Sequence, residues 1–158
     1  MPDTFTHIAL PALFSRYFTS PLNAALLLIG TVLPDYFREF FSFILPKDYY
    51  SMTYPFHSLS GIIFVSLLLS ALFITAQRQS VFLSLLTGQT LHLLFDLTQS
   101  YGCSGSLTFF PLWQTFQLNL ISETHWLYIF IFSASVFTLH QVLVFIKEKR
   151  TRKTTHSS

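Results

Sequence analysis

The chain has 158 residues, 51% hydrophobic and only 10% charged, with a formal net charge of +2. By length it is one domain, and a soluble domain carries roughly 25% charged residues, so the composition excludes an ordinary soluble globule and points to the membrane. The small net charge gives no global field for nucleic acid, and the lone Cys103 excludes an internal disulfide and any cysteine-based zinc cluster.

Taken in order, the N-terminus Met1-Pro2-Asp3-Thr4-Phe5-Thr6 lacks the basic region of a secretory signal. His7 to Phe18 reads as a short helix, capped by Thr6 and tolerating Pro11 near its first turn. Ser20-Pro21 is a cap followed by proline at the first helical position, and opens a second helix. That helix reads as interrupted at Pro34-Asp35, with an aromatic helix over Phe37 to Leu45 beyond the break. A polar, tyrosine-rich loop spans Lys47 to Pro55. A third helix, apolar throughout, covers His57 to Ala76, and a fourth runs from Ser80 to about Thr98. After a Ser/Gly loop, Leu107 to Leu120 is aromatic and irregular and suits a membrane interface. Ser122-Glu123 starts the last helix, which carries no charge from Thr124 to Ile146.

A hydrocarbon core of ~30 Å needs about 20 apolar helical residues. The third and last helices satisfy this, the fourth is marginal, and the second does so if its break is tolerated. The expected fold is therefore all-α: a polytopic membrane bundle of about four spans plus a short N-terminal helix. Residues 1–146 form the embedded domain, and 147–158 form a basic tail read as disordered. The 19 phenylalanines favour lipid contact over a conventional core. Arg78 marks the turn between the third and fourth helices, and the last helix delivers Lys147, Lys149, Arg150, Arg152 and Lys153 to the same side, as does Arg16. The positive-inside rule makes that side cytoplasmic, with the C-terminus. His7, Asp35, His57 and Asp96 then gather at the opposite end, with His92 one turn deeper.

The stretch Leu85 to Asp96 is the most informative. His92 and Asp96 are four residues apart, on one face of a helix, inside a run too apolar for water. Imidazole and carboxylate at this spacing either hold a divalent cation or satisfy each other. Asp35, after Leu33-Pro34 in an apolar stretch, is a functional candidate because an intramembrane carboxylate is costly. His57 alone reads more readily as an interfacial or capping residue than as a ligand, and His140 reads as structural. The basic tail reads as a topology anchor attracted to anionic lipid.

The order Thr6-His7, Leu33-Pro34-Asp35, His57-Ser58, and Gly88 with His92-xxx-Asp96 and Thr98 resembles the bacterial membrane-bound metal-dependent hydrolases of the YdjM-like family. That family's pattern is T/G-H, P-D-x-D, H-R-G-x-T-H-S and G-x-x-S-H-x-x-x-D-x-x-T, followed by a loop ending in an aromatic segment, similar here to Leu107 to Trp113. The same order is similar, more distantly, to zinc-dependent phospholipase C domains. The resemblance implies an inner-membrane hydrolase in which a metal-activated water attacks a phosphoester or lipid-linked substrate. It further implies His7, Asp35, His57, His92 and Asp96 as metal ligands, Asp35 as bridging ligand or general base, and Glu123 or His125 as a supporting group or proton donor. Zn²⁺ is the implied ion, with Mn²⁺ or Mg²⁺ as alternatives; membrane lipids are the implied partners. Two departures stand out: Tyr36-Phe37 replaces the end of P-D-x-D, and Met52 replaces the first His of H-R-G-x-T-H-S. If those groups hold a second metal in the family, the resemblance implies that this chain binds one ion or has lost activity. The competing class is a non-catalytic membrane protein, either a metal or proton carrier or a metal-binding scaffold. Ligands converging from separate segments favour hydrolysis, whereas polar residues strung through the membrane favour transport.

Overall fold

The computed structural model describes residues 4–15, 18, 20–46, 55–98, 118, 120–122 and 125–155. The order is α1 (Thr4–Ser15), α2 (Pro21–Ile44), α3 (Leu59–Ala71), α4 (Thr75–Thr98) and α5 (Trp126–Thr155). The all-α class is as expected. Several boundaries differ from the sequence reading, each for a local reason.

Thr6 lies inside α1 rather than capping it, because the helix begins at Thr4. Ser20 takes the extended backbone of an N-cap, and Pro21 starts α2 with its fixed φ. α2 then runs unbroken through Pro34, so Phe37 to Ile44 is its last two turns and not a separate helix. A proline without an N–H removes one rung of the ladder, here the bond to the Gly30 carbonyl, and a buried, well-packed helix withstands that loss. α3 is much shorter than the expected span. Its start is set by Ser58, whose hydroxyl accepts the Gly61 N–H at 3.1 Å. Its end is a tight turn at Leu72–Ile74, where Arg78 Nε donates to the Phe73 carbonyl at 2.9 Å. α4 consequently begins at Thr75, five residues earlier than expected. α5 carries helix past Ile146 through the basic segment to Thr155.

Among the described residues two helical stretches are long and apolar enough to cross a membrane, Thr75–Thr98 and Leu127–Lys147. The expectation of about four spans is thus met in part. α3, with 13 residues, reaches only about 20 Å at 1.5 Å per residue. α2 is long enough but carries Asp35, Arg38 and Glu39.

α2 and α4 run parallel at the centre. Asn23 Nδ2 donates to Ser80 Oγ at 2.6 Å near one end, and Thr31 meets His92 near the other. Between these points the backbones nearly touch. A Cβ on Gly30 would lie 2.7 Å from the Leu85 carbonyl oxygen, and a Cβ on Gly88 would collide with the Leu27 carbonyl. Small residues at a crossing let helices approach this closely, as is common in membranes. Leu26, Val81 and Leu85 form the buried apolar cluster of this pair, with Leu33, Leu69 and Phe73 around it. α3 packs antiparallel on α4, where buried Gln89 donates to Ser66 Oγ at 2.7 Å. α1 lies against α2, and α5 lies against α1 through Phe5, whose ring centroid is 5.3 Å from Phe130 and 6.2 Å from Phe137. α5 leaves large apolar side chains such as Leu139, Leu143 and Phe145 uncovered, as expected of a surface facing lipid.

Candidate metal centre

The α2–α4 crossing brings Asp35 beside Asp96 and His92. Pro34 leaves a gap in the α2 ladder, and one residue past the freed carbonyl, the Thr31 oxygen accepts a bond from His92 Nδ1 at 2.8 Å. A carbonyl only accepts, so Nδ1 carries the proton and Nε2 keeps its lone pair. Nε2 lies 3.2 Å from Asp96 Oδ2 and 3.7 Å from Asp35 Oδ1, and has no hydrogen-bond partner of good geometry among the described residues.

His57 comes from a single 3₁₀ turn, Pro55–His57, ahead of α3. Two contacts hold this turn in place. Phe56 stacks on Phe37 and Phe41 of α2, one helical turn apart, with ring centroids at 5.4 and 5.1 Å. On the other side Gly61 admits the Pro55 carbonyl, into which any Cβ would run. The result places His57 Nε2 3.1 Å from Asp35 Oδ1 and 4.0 Å from Asp96 Oδ2.

Asp35, His57, His92 and Asp96 each present a donor atom, and all four atoms lie within 4.8 Å of one another. Separations of 3.1 to 4.0 Å among these atoms are those of ligands placed ~2.0–2.2 Å from a common centre. The side chains are buried, with relative exposures of 14% for Asp35, 8% for His57, 0% for His92 and 5% for Asp96. Two carboxylates this close in such surroundings repel each other and lack water, so a divalent cation suits the charge as well as the spacing. By donor type and geometry the residues fit a divalent metal ion.

His7 is fully buried on α1 but stands to one side. Its Nε2 lies 3.3 Å from Asp96 Oδ1, and its ring centroid is 4.4 Å from that of His92. It touches the group without joining the four-atom cluster. Glu123 lies outside the described residues, as does Met52. His125 is exposed at the start of α5, its ring 6.0 Å from Tyr128. His140, on α5, is not among the clustered residues. Sequence reasoning did not find the Thr31 carbonyl, since a backbone acceptor has no side-chain signature. In the sequence Phe37 shows only as a departure from the family pattern, and its stack with Phe56 has no local signature.

None of the curated proteins and none of the solved structures compared with the chain matches it. The family model described as YdjM inner membrane protein matches residues 1–157. Spanning nearly the whole chain, that match identifies this protein as a member of the YdjM inner membrane protein family.

Proposed function

We propose that this protein is a membrane-embedded, metal-dependent hydrolase acting on a phosphoester, with lipid-linked substrates preferred. The observation that carries the reading is the convergence of Asp35, His57, His92 and Asp96 from three separate stretches onto one buried point. Convergence favours a reaction centre over a conduction path, in which the polar groups would be strung through the membrane.

In this reading the four residues hold one divalent cation, Zn²⁺ by donor set. A bound cation of this kind supplies a Lewis acid and a water that ionises near neutral pH. Asp35, the most open of the four, takes the proton of the attacking water. Asp96 balances charge, and His7 orients it from α1. The Thr31 carbonyl fixes the His92 tautomer. Phe37, Phe41 and Phe56 exclude water from one flank. Phe37 stands where the family pattern has its second aspartate and Met52 where it has its first histidine, which supports one ion and not two. The arginine and lysine distribution supports a cytoplasmic C-terminus, with the metal centre toward the opposite face.

The test is metal content and turnover of the detergent-purified protein. Hydrolysis of a phospholipid and phosphodiester panel is followed after chelation and after return of Zn²⁺, Mn²⁺ or Mg²⁺. Stoichiometric metal with chelator-sensitive turnover is expected. Turnover indifferent to chelator sinks the proposal, and stoichiometric metal without turnover leaves a metal-binding scaffold.

A further inference from the structure

A cavity of about 360 Å³ lies between α1, the end of α4 and the start of α5. Its walls are mostly apolar, among them Leu10, Phe95, Ile121, Ile129 and Phe132. Its volume falls at the small end of the ~300–1,000 Å³ range of ligand pockets. One feature is out of character with a lipid-filled crevice. Ser133 contributes to the lining, is fully buried, and its hydroxyl has no hydrogen-bond partner among the described residues. A buried hydroxyl without a partner is costly, and its position on a cavity wall marks where a ligand atom completes it.

The cavity backs directly onto the metal centre. Phe95 precedes Asp96 and packs its ring edge-on to His7 at 5.7 Å, while Thr6, also in the lining, precedes His7. Phe95 and the His7 turn therefore border both the apolar cleft and the charged cluster. An apolar head and a polar chain would be reversed here; a polar head with an apolar chain fits.

We propose that this cavity seats one aliphatic chain of an amphiphilic ligand whose phosphate end lies at the Asp35–His57–His92–Asp96 cluster. The linking ester or ether oxygen accepts the Ser133 hydroxyl. The proposal deepens the hydrolase reading and rests on it for the role of the head. The seat for the chain is tested without any turnover.

The probe is a single-chain alkyl phosphate carrying a photoactivatable diazirine on the chain, added to the full-length protein in lipid nanodiscs. Crosslinks are expected on Phe95 and on the Ile129 to Ser133 segment. Ser133→Phe and, independently, Ile129→Trp fill the chamber, and each should lower labelling of Phe95 by about tenfold or more while metal content is unchanged. If Ser133→Phe fails to fold, Ile129→Trp and competition by an unlabelled alkyl phosphate carry the test. Labelling spread over exposed α5 residues such as Leu139 and Leu143, indifferent to both substitutions and to competitor, overturns the proposal. Cavity labelling in a protein without turnover overturns the hydrolase reading and leaves the chain seat standing. Turnover without cavity labelling does the reverse.

Discussion

Along the α2–α4 pair, the half near Asn23 and Ser80 buries Leu26, Val81 and Leu85, whereas the half near Asp35 and Asp96 buries carboxylates and imidazoles. The same two helices, in the same parallel register, do opposite things at their two ends. The apolar half packs by shape, and in a bilayer such packing gains little from water exclusion. The polar half has poor intrinsic stability, because its charges repel unless an ion draws them together. Gly30 and Gly88 sit between the halves and serve both. The comparison teaches that structure and chemistry are separable here, and mutations should divide along the same line.

The sharpest break is Asp96→Ala. It removes a carboxylate from the cluster, so metal affinity should fall by more than the ~10–100-fold that loss of an outer partner costs. Metal analysis after gel filtration reads this directly, and retention of an ion by the variant would separate Asp96 from the cluster. The same variant sharpens a thermal comparison. A ligand present at ~1,000 times its Kd stabilises by about 4 kcal/mol, so chelation should lower the Tm of the wild type and leave that of Asp96→Ala in place.

Gly88→Ala should couple the halves. Its methyl group meets the Leu27 carbonyl, so the helices must separate, costing about 1–3 kcal/mol of stability. His92 then loses its reach to Thr31, so metal affinity should drop as well. A variant that binds metal normally would mean the crossing does not position the site. Leu85→Ala should act on the apolar half alone, at or below the ~2–5 kcal/mol seen for such deletions in soluble cores. Metal binding by the folded fraction should be unchanged in a titration. His140→Ala should have the smallest effect, within about 0.5 kcal/mol in stability, with wild-type metal content.

Much of this was readable from residues. His92 and Asp96 declared themselves by spacing in an apolar helix, and Asp35 by the cost of a carboxylate in such a run. The position of Ser20-Pro21 followed from capping. What was not readable depended on contacts between distant segments. Pro34 looked like a break because propensity is a local quantity, whereas packing against α4 holds α2 together. The early end of α3 had no glycine or proline to announce it, since the turn at Leu72–Ile74 is made of apolar residues. His57 is placed by Phe56 on Phe37 and Phe41, a stack joining residues some 15 to 19 positions apart. His7 groups with the ligands in the sequence by its place at the same end, but it touches Asp96 and the His92 ring from outside the four-residue cluster.

The parallel pairing of α2 and α4 has a consequence for how the protein is made. Two parallel neighbours cannot be joined by a short turn, so α3 must double back before α4 can dock. During synthesis Asp35 emerges long before His92 and Asp96, its partners in the cluster. The four-residue cluster is completed only when α4 closes against α2. If the cluster holds the proposed cation, its uptake reports that α4 has docked on α2.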